Sequence, residues 1–206
     1  MSSTPQISQI NVDNDEESQL QKLLGITNGL ERFHQIGDPT STYVMVPVGK
    51  RYEVQKIEGR SFRRWLNVEV NKKFNTLLSP GTLSRVVEHL AAQAQFGDKS
   101  EKIWIRTAEW DGKYYIDLAN DEGQVIELSA GSWRIITKPP VRFRRPTGML
   151  ALPKPEVGGS IDALRKLLTV ESEDDWYIIL FWLLGALRPH GPYPVIFING
   201  GHGTAK

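Results

Sequence analysis

The sequence predicts an α+β domain followed by the opening of an α/β domain. Three features carry that prediction. Residues 42–136 mix short β-branched and aromatic runs with stretches of helical apolar spacing, as an α+β unit requires. A proline-rich stretch without any acidic residue, 138–155, then interrupts the pattern. Beyond it come an apolar helix and the unbroken apolar run Pro194-Val195-Ile196-Phe197-Ile198, the kind of strand found inside a parallel sheet.

The elements follow in order. Residues 1–17 are polar and carry Asp13, Asp15, Glu16 and Glu17, so a disordered tail is expected. Leu20, Leu23, Leu24, Leu30 and Phe33 suggest a loose helix over 18–35, weakened by Gly25 and Gly29. Residues 42–46 and 52–57 are β-rich and flank Gly49, which predicts a hairpin. Ser61 is expected to cap a helix carrying Phe62, Trp65, Leu66 and Val70. Ser79-Pro80 opens the next, with Leu83, Val86, Val87, Leu90 and Ala94 on one face.

A β-meander is expected from Ile103 to Ile136. Its strands are 103–106, 113–118, 124–128 and 133–136, with the turn pair Asp111-Gly112 between the first two. The connector 138–155 should be extended, because proline holds the residue before it out of the helical region. A domain boundary is placed near residue 150. After it, Ser160 should cap a short helix through Leu168, and Ser172 with Asp175 reads as a capping box for a helix over about 173–187.

Composition narrows function mainly by exclusion. Net charge is +1, so any basic surface must be local. There is no cysteine, which excludes thiol catalysis, disulfides and cysteine-held metals, and fits a cytoplasmic location. The N-terminus lacks the basic and apolar segments of a signal peptide. The longest apolar run, residues 176–187, is short of the roughly 20 residues a membrane-spanning helix needs. It reads as a buried core helix, and no membrane partner is expected.

The chemistry concentrates at the end of the chain. Residues 200–206 fit G-x-x-x-x-[G/A]-K, the loop whose amides cradle phosphates while its lysine meets the β- and γ-phosphates. Gly200, Gly201, Gly203, Thr204, Ala205 and Lys206 are the candidate nucleotide-binding residues. The Ser or Thr that would hold Mg²⁺ would be the next residue. Residues 151–206 are therefore read as the truncated start of an α/β P-loop NTPase domain, behind an α+β accessory domain over 18–150.

Other stretches, in order, resemble one family: the primase-associated, helicase-like ATP-binding proteins of phage and mobile elements. Phe62-Arg63-Arg64-Trp65-Leu66 is similar to its Phe-x-x-Trp-Leu element. Arg106-Thr107-Ala108 with Tyr115-Ile116-Asp117-Leu118 resembles its "R-x-A … Y-x-D-L" meander. Gly131-Ser132-Trp133 and Pro140-Val141-Arg142-Phe143-Arg144-Arg145 resemble its "G-W … P-V-x-F-x-R" stretch. Leu152-Pro153, Gly158-Gly159 and Gly191-Pro192-Tyr193-Pro194 then lead into the loop. The loop departs from the family pattern in reading Gly200-Gly201-His202 where Gly-Glu-Gln is usual. The resemblance implies a downstream ATPase core, ATP and Mg²⁺ as cofactors of the parent protein, and work on DNA in replication. Homo-oligomers are expected of the full-length ATPase. The 206 residues are read as an N-terminal fragment, expected to bind no cofactor tightly and not to hydrolyse ATP, because the Mg²⁺-binding hydroxyl and the following helix are missing.

Arg142, Phe143, Arg144 and Arg145 could track nucleic-acid phosphates, with Phe143 stacking on a base. The alternative for them is a solvated linker, or arginines paired with acids elsewhere. No catalytic residue is assigned: Glu109 and Asp117 are not placed together by any pattern, and His34, His89, His190 and His202 lack metal-ligand spacing. The rival to the ATPase reading is a non-enzymatic DNA- or protein-binding module with a flexible glycine-rich tail. Exposed apolar surface and a tendency to aggregate are expected around 176–198.

Overall fold

The structure is a computed structural model that describes residues 19–170 and 172–197. It is a mixed α+β protein, as expected. The tail predicted over 1–17 lies outside the described residues. Contacts divide the chain into one unit of Met1–Ile103 with Arg142–Arg145, and a second of Trp104–Val141 with Pro146–Lys206.

The first unit begins with helix α1 over residues 19–27. The loose helix expected as far as residue 35 stops there. Asn28 N–H donates to Leu24 O (2.8 Å), Leu30 N–H donates to Thr27 O (3.1 Å), and the chain leaves as strand β1, Arg32–Gln35. Phe33 is wholly buried in that strand and stacks on Tyr43, 6.2 Å away. Strands β2 (Asp38–Val48) and β3 (Arg51–Lys56) form the predicted hairpin, with Val44 opposite Gln55. Strand β4 (Ser100–Glu101) joins parallel to β1, giving the order β3-β2-β1-β4.

Alternation along β2 covers both faces. Val44 and Val46 join the main core, whereas Tyr43 and Met45 join Phe33, Val54 and Ile103. The main core is completed by helices α2 (Arg60–Phe74) and α3 (Pro80–Gln95), through Phe62, Leu66 and Val70 of one and Val86, Val87, Leu90 and Ala94 of the other. Ser79 caps α3 as its sequence predicts, accepting from Thr82 N–H at 3.1 Å. Ser61 does not cap α2. Gly59 occupies that position without a side-chain bond, and a Cβ there would lie 2.9 Å from Lys56 O, so the tight entry leaves no room for a serine cap.

The second unit is built on an antiparallel meander of β6 (Thr107–Trp110), β7 (Lys113–Asp117), β8 (Val125–Ser129) and β9 (Ser132–Ile136). Asp111 and Gly112 both take positive φ, 49° and 70°, the twist a two-residue hairpin needs. The first meander strand is Thr107–Trp110 and not the predicted 103–106: Arg106 turns through φ 64° and ends the preceding β5, Ile103–Trp104. Two helices follow, α4 (Ile161–Arg165) and α5 (Glu173–Ala186). Helix α4 ends at Arg165, and the chain turns on to Leu168. Ser172 Oγ accepts from Asp175 N–H at 3.1 Å, as the capping pattern predicts.

The sequence places a boundary near residue 150, yet the contacts group the meander with the chain after residue 145. The reason is visible in the backbone. Leu152 N–H donates to Leu118 O (2.8 Å), and the Arg106 guanidinium donates to Leu150 O (2.7 Å) and Asp117 O (2.9 Å). The connector is laced to the meander by these bonds.

Candidate functional site

Gly200, Gly201, Gly203, Thr204, Ala205 and Lys206 lie outside the described residues, as do Ile198 and His202. The chain that leads to them is described as far as Phe197, and it differs from expectation. Residues 194–197 form no strand, and Val195 and Phe197 are 94% and 87% exposed. A strand requires a neighbour to take its N–H and C=O groups. Among the described residues no strand pairs with this segment. The Pro194 carbonyl instead accepts from Trp182 Nε1 at 2.9 Å, so the segment folds back along α5.

The sequence predicts a buried core helix at α5, and the structure corrects this. Only Trp176 is buried, with the Arg165 guanidinium 5.6 Å from its ring centroid. Tyr177, Ile178, Phe181, Leu184 and Leu187 are exposed, which agrees with the apolar surface expected around this segment. No described helix is long and apolar enough to cross a membrane.

The basic connector is structured. Arg142 and Phe143 form strand β10, paired with β5, and all four of Arg142, Phe143, Arg144 and Arg145 are half-buried. The Arg142 guanidinium reaches Glu31 at 2.9 Å and Glu101 at 3.6 Å. Lys99 pairs with the same two acids. Arg142 is thus engaged by carboxylates. The network closes the first unit where β1, β4 and β10 meet.

Burial works against ionisation of Glu31, but the hydrogen bond from Lys99 and the charges of Arg142 and Lys99 outweigh it, so its carboxyl titrates below the ordinary 4.5. A carboxyl depressed by folding stabilises the fold above its unfolded value, and that contribution is lost as the pH falls through the lower, folded one. Stability of the first unit is therefore expected to fall as the pH drops below 4.5. Glu31→Gln should be less stable at neutral pH and flatter across that acid range, as read from urea midpoints at a series of pH values.

The family-like motifs acquire architectural roles. Arg106 and Asp117 build the corner that holds Leu150, and the buried Asp117 carboxylate accepts from Ala119 N–H at 2.9 Å. Trp65 stacks on Phe62 (5.9 Å) and donates to Pro47 O (3.1 Å). Arg134 and Lys113 hold the buried Glu127 carboxylate at 2.7 and 3.4 Å, and Tyr115 Oη donates to it at 3.3 Å.

The sequence does not reveal the partner of His190. Its Nε2 lies 2.8 Å from Glu109 Oε1, and its ring lies 5.1 Å from that of Trp104. Glu109 and Asp117 do not meet. Glu109 faces Tyr114 across the ladder, and Asp117 lies three residues along β7, which places it on the other face of the sheet. Among the described residues no cluster of His, Asp or Glu could hold a metal ion. Comparison with known proteins finds no matching family model, no matching curated protein and no matching solved structure.

Proposed function

We propose that this chain is the N-terminal part of an ATP-binding, helicase-like protein that acts on DNA. Phage or mobile-element replication is the setting the resemblance implies. The observation that carries the proposal is the sequence of residues 200–206, which supplies loop glycines and a terminal lysine in the order a phosphate-binding loop uses them. The ordered motifs from Phe62 to Pro194 support the same reading.

ATP and Mg²⁺ are the cofactors this assigns to the whole protein. Lys206 would meet the β- and γ-phosphates, and the amides of Gly201, Gly203 and Thr204 would line the phosphate path. The DNA contact is assigned away from Arg142, whose guanidinium Glu31 and Glu101 already engage. The α+β unit is given the role of an accessory domain. Equilibrium binding of Mg²⁺·ATP to the whole protein tests the proposal: Lys206→Ala should weaken it about tenfold or more, and an unchanged affinity would overturn it.

A further inference from the structure

We propose that the outward face of helix α2 is a docking surface for duplex DNA, with Arg60 and Arg64 on the phosphates. The inference deepens the DNA-acting part of the proposed function and rests on that part, not on the phosphate-binding loop.

Helix α2 concentrates the positive charge of the chain. It holds five bases, Arg60, Arg63, Arg64, Lys72 and Lys73, and one acid, Glu69, a net +4. The whole chain has a net charge of +1, so everything outside this helix sums to −3. Glu58 precedes the helix, and Glu69 is engaged by Lys72 at 2.8 Å.

The helix turns this charge away from the core. Phe62, Leu66 and Val70 are buried in the cluster that α2 shares with the sheet and α3. At about 100° per residue, Arg60, Arg64, Val68 and Asn71 fall within about 80° of arc on the opposite side, with Lys72 about 40° further round. All five are exposed. Arg63 lies at the flank, where it donates to Ser84 of α3 at 3.2 Å. Neither Arg60 nor Arg64 pairs with an acid among the described residues.

Fold stability does not account for these arginines. Arg60 and Arg63 stand in the first turn, where the helix dipole favours acids, and that turn has none. Arg60 and Arg64 are four positions apart, a spacing at which like charges repel. Local electrostatics broken in this way marks a functional surface, and a bound polyanion relieves both penalties.

Shape and chemistry select the duplex among polyanions. A helix with its side chains is about 10–12 Å across, and the major groove is about 12 Å wide. Arginine forks match phosphate oxygens, and Val68 and Asn71 are an apolar and an amide side chain of the kinds that meet base edges there. A lipid surface requires large apolar side chains, and the outward line offers Val68 alone. A single strand requires open aromatic rings to stack its bases, but Phe62, Trp65 and Phe74 all pack against the core.

The test is a fluorescence-anisotropy titration of the full chain, without nucleotide, on a short duplex of random sequence and on one of its strands, over a series of salt concentrations. Wild type should bind the duplex more tightly than the strand. Arg60→Ala and Arg64→Ala should each weaken duplex binding about threefold or more and reduce the slope of log K against log salt by about 0.9. Arg60→Lys/Arg64→Lys should keep the slope, and Lys138→Ala, which removes an exposed cation outside α2, should change neither quantity. The alanine variants should keep or raise the urea midpoint; a clear fall would assign the arginines to the fold and overturn the inference. Duplex affinity and slope unchanged in Arg60→Ala/Arg64→Ala, or tighter binding to the single strand, would overturn the inference and leave the DNA-acting reading standing. A wild-type chain that binds neither DNA would overturn both.

Discussion

Replacing Phe62 with alanine is expected to lower the stability of the first unit by about 3–5 kcal/mol, the usual range for deleting a buried aromatic ring. Phe62 has no exposed surface and sits one turn before Leu66 and two before Val70, on the buried face of α2. Its ring belongs to the core shared by β2, α2 and α3, and stacks on Trp65. Truncation would leave a cavity walled by a sheet and two helices, which cannot close it without moving. For a domain whose whole stability is about 5–15 kcal/mol, the loss should be visible as a large fall in the urea midpoint at unchanged slope. Phe62→Leu, which fills most of the volume, should retain most of the stability. A loss below about 1 kcal/mol for alanine would show that this core is not packed as described.

Arg106→Ala is expected to cost the second unit about 2 kcal/mol and to loosen the chain around Leu150. The forked guanidinium donates at once to Asp117 O and Leu150 O, and hydrogen bonds from a charged donor are worth about 1.5–3 kcal/mol when partly buried. The value stays near the low end because the bond to Leu150 is exposed to solvent. The Arg106 backbone turns through φ 64°, a conformation that alanine would also have to hold. Arg106→Lys should behave almost like alanine, since a single ammonium cannot bridge both carbonyls in that geometry. Limited proteolysis reads the effect locally: cleavage over residues 145–152 should accelerate in both variants while the first unit stays resistant. Equal cleavage rates would mean that Arg106 does not fasten the connector.

What could be read in the sequence is what local chemistry decides. The Ser79-Pro80 opening of α3, the Asp111-Gly112 turn, the β2–β3 hairpin and the Ser172–Asp175 cap each depend on residues a few positions apart, and each is found where expected. Strand β1 was hidden because four residues are too few to show a period, and Phe33 fits helix spacing as well as strand alternation. The ion network was hidden for a different reason. Glu31 and Arg142 are 111 positions apart, and no local pattern announces such a pairing. His190 and Glu109, 81 positions apart, escaped in the same way. Residues 194–197 show the converse error: an apolar β-branched run signals a capacity for strand, but only a neighbouring strand makes it one. In the candidate site, Arg142 to Arg145 read either as a phosphate track or as a linker whose arginines pair with acids elsewhere, and at Arg142 the structure has such an ion pair. The loop glycines and Lys206 are legible in the sequence alone.

The phosphate-binding loop proposed for residues 200–206 stands or falls at Lys206. The decisive measurement is equilibrium binding of Mg²⁺·ATP to the whole protein, with and without Lys206→Ala. The wild-type protein should bind ATP, and Lys206→Ala should weaken that binding about tenfold or more, as loss of a charged phosphate contact does. An affinity for ATP that the alanine substitution leaves unchanged would overturn the proposal.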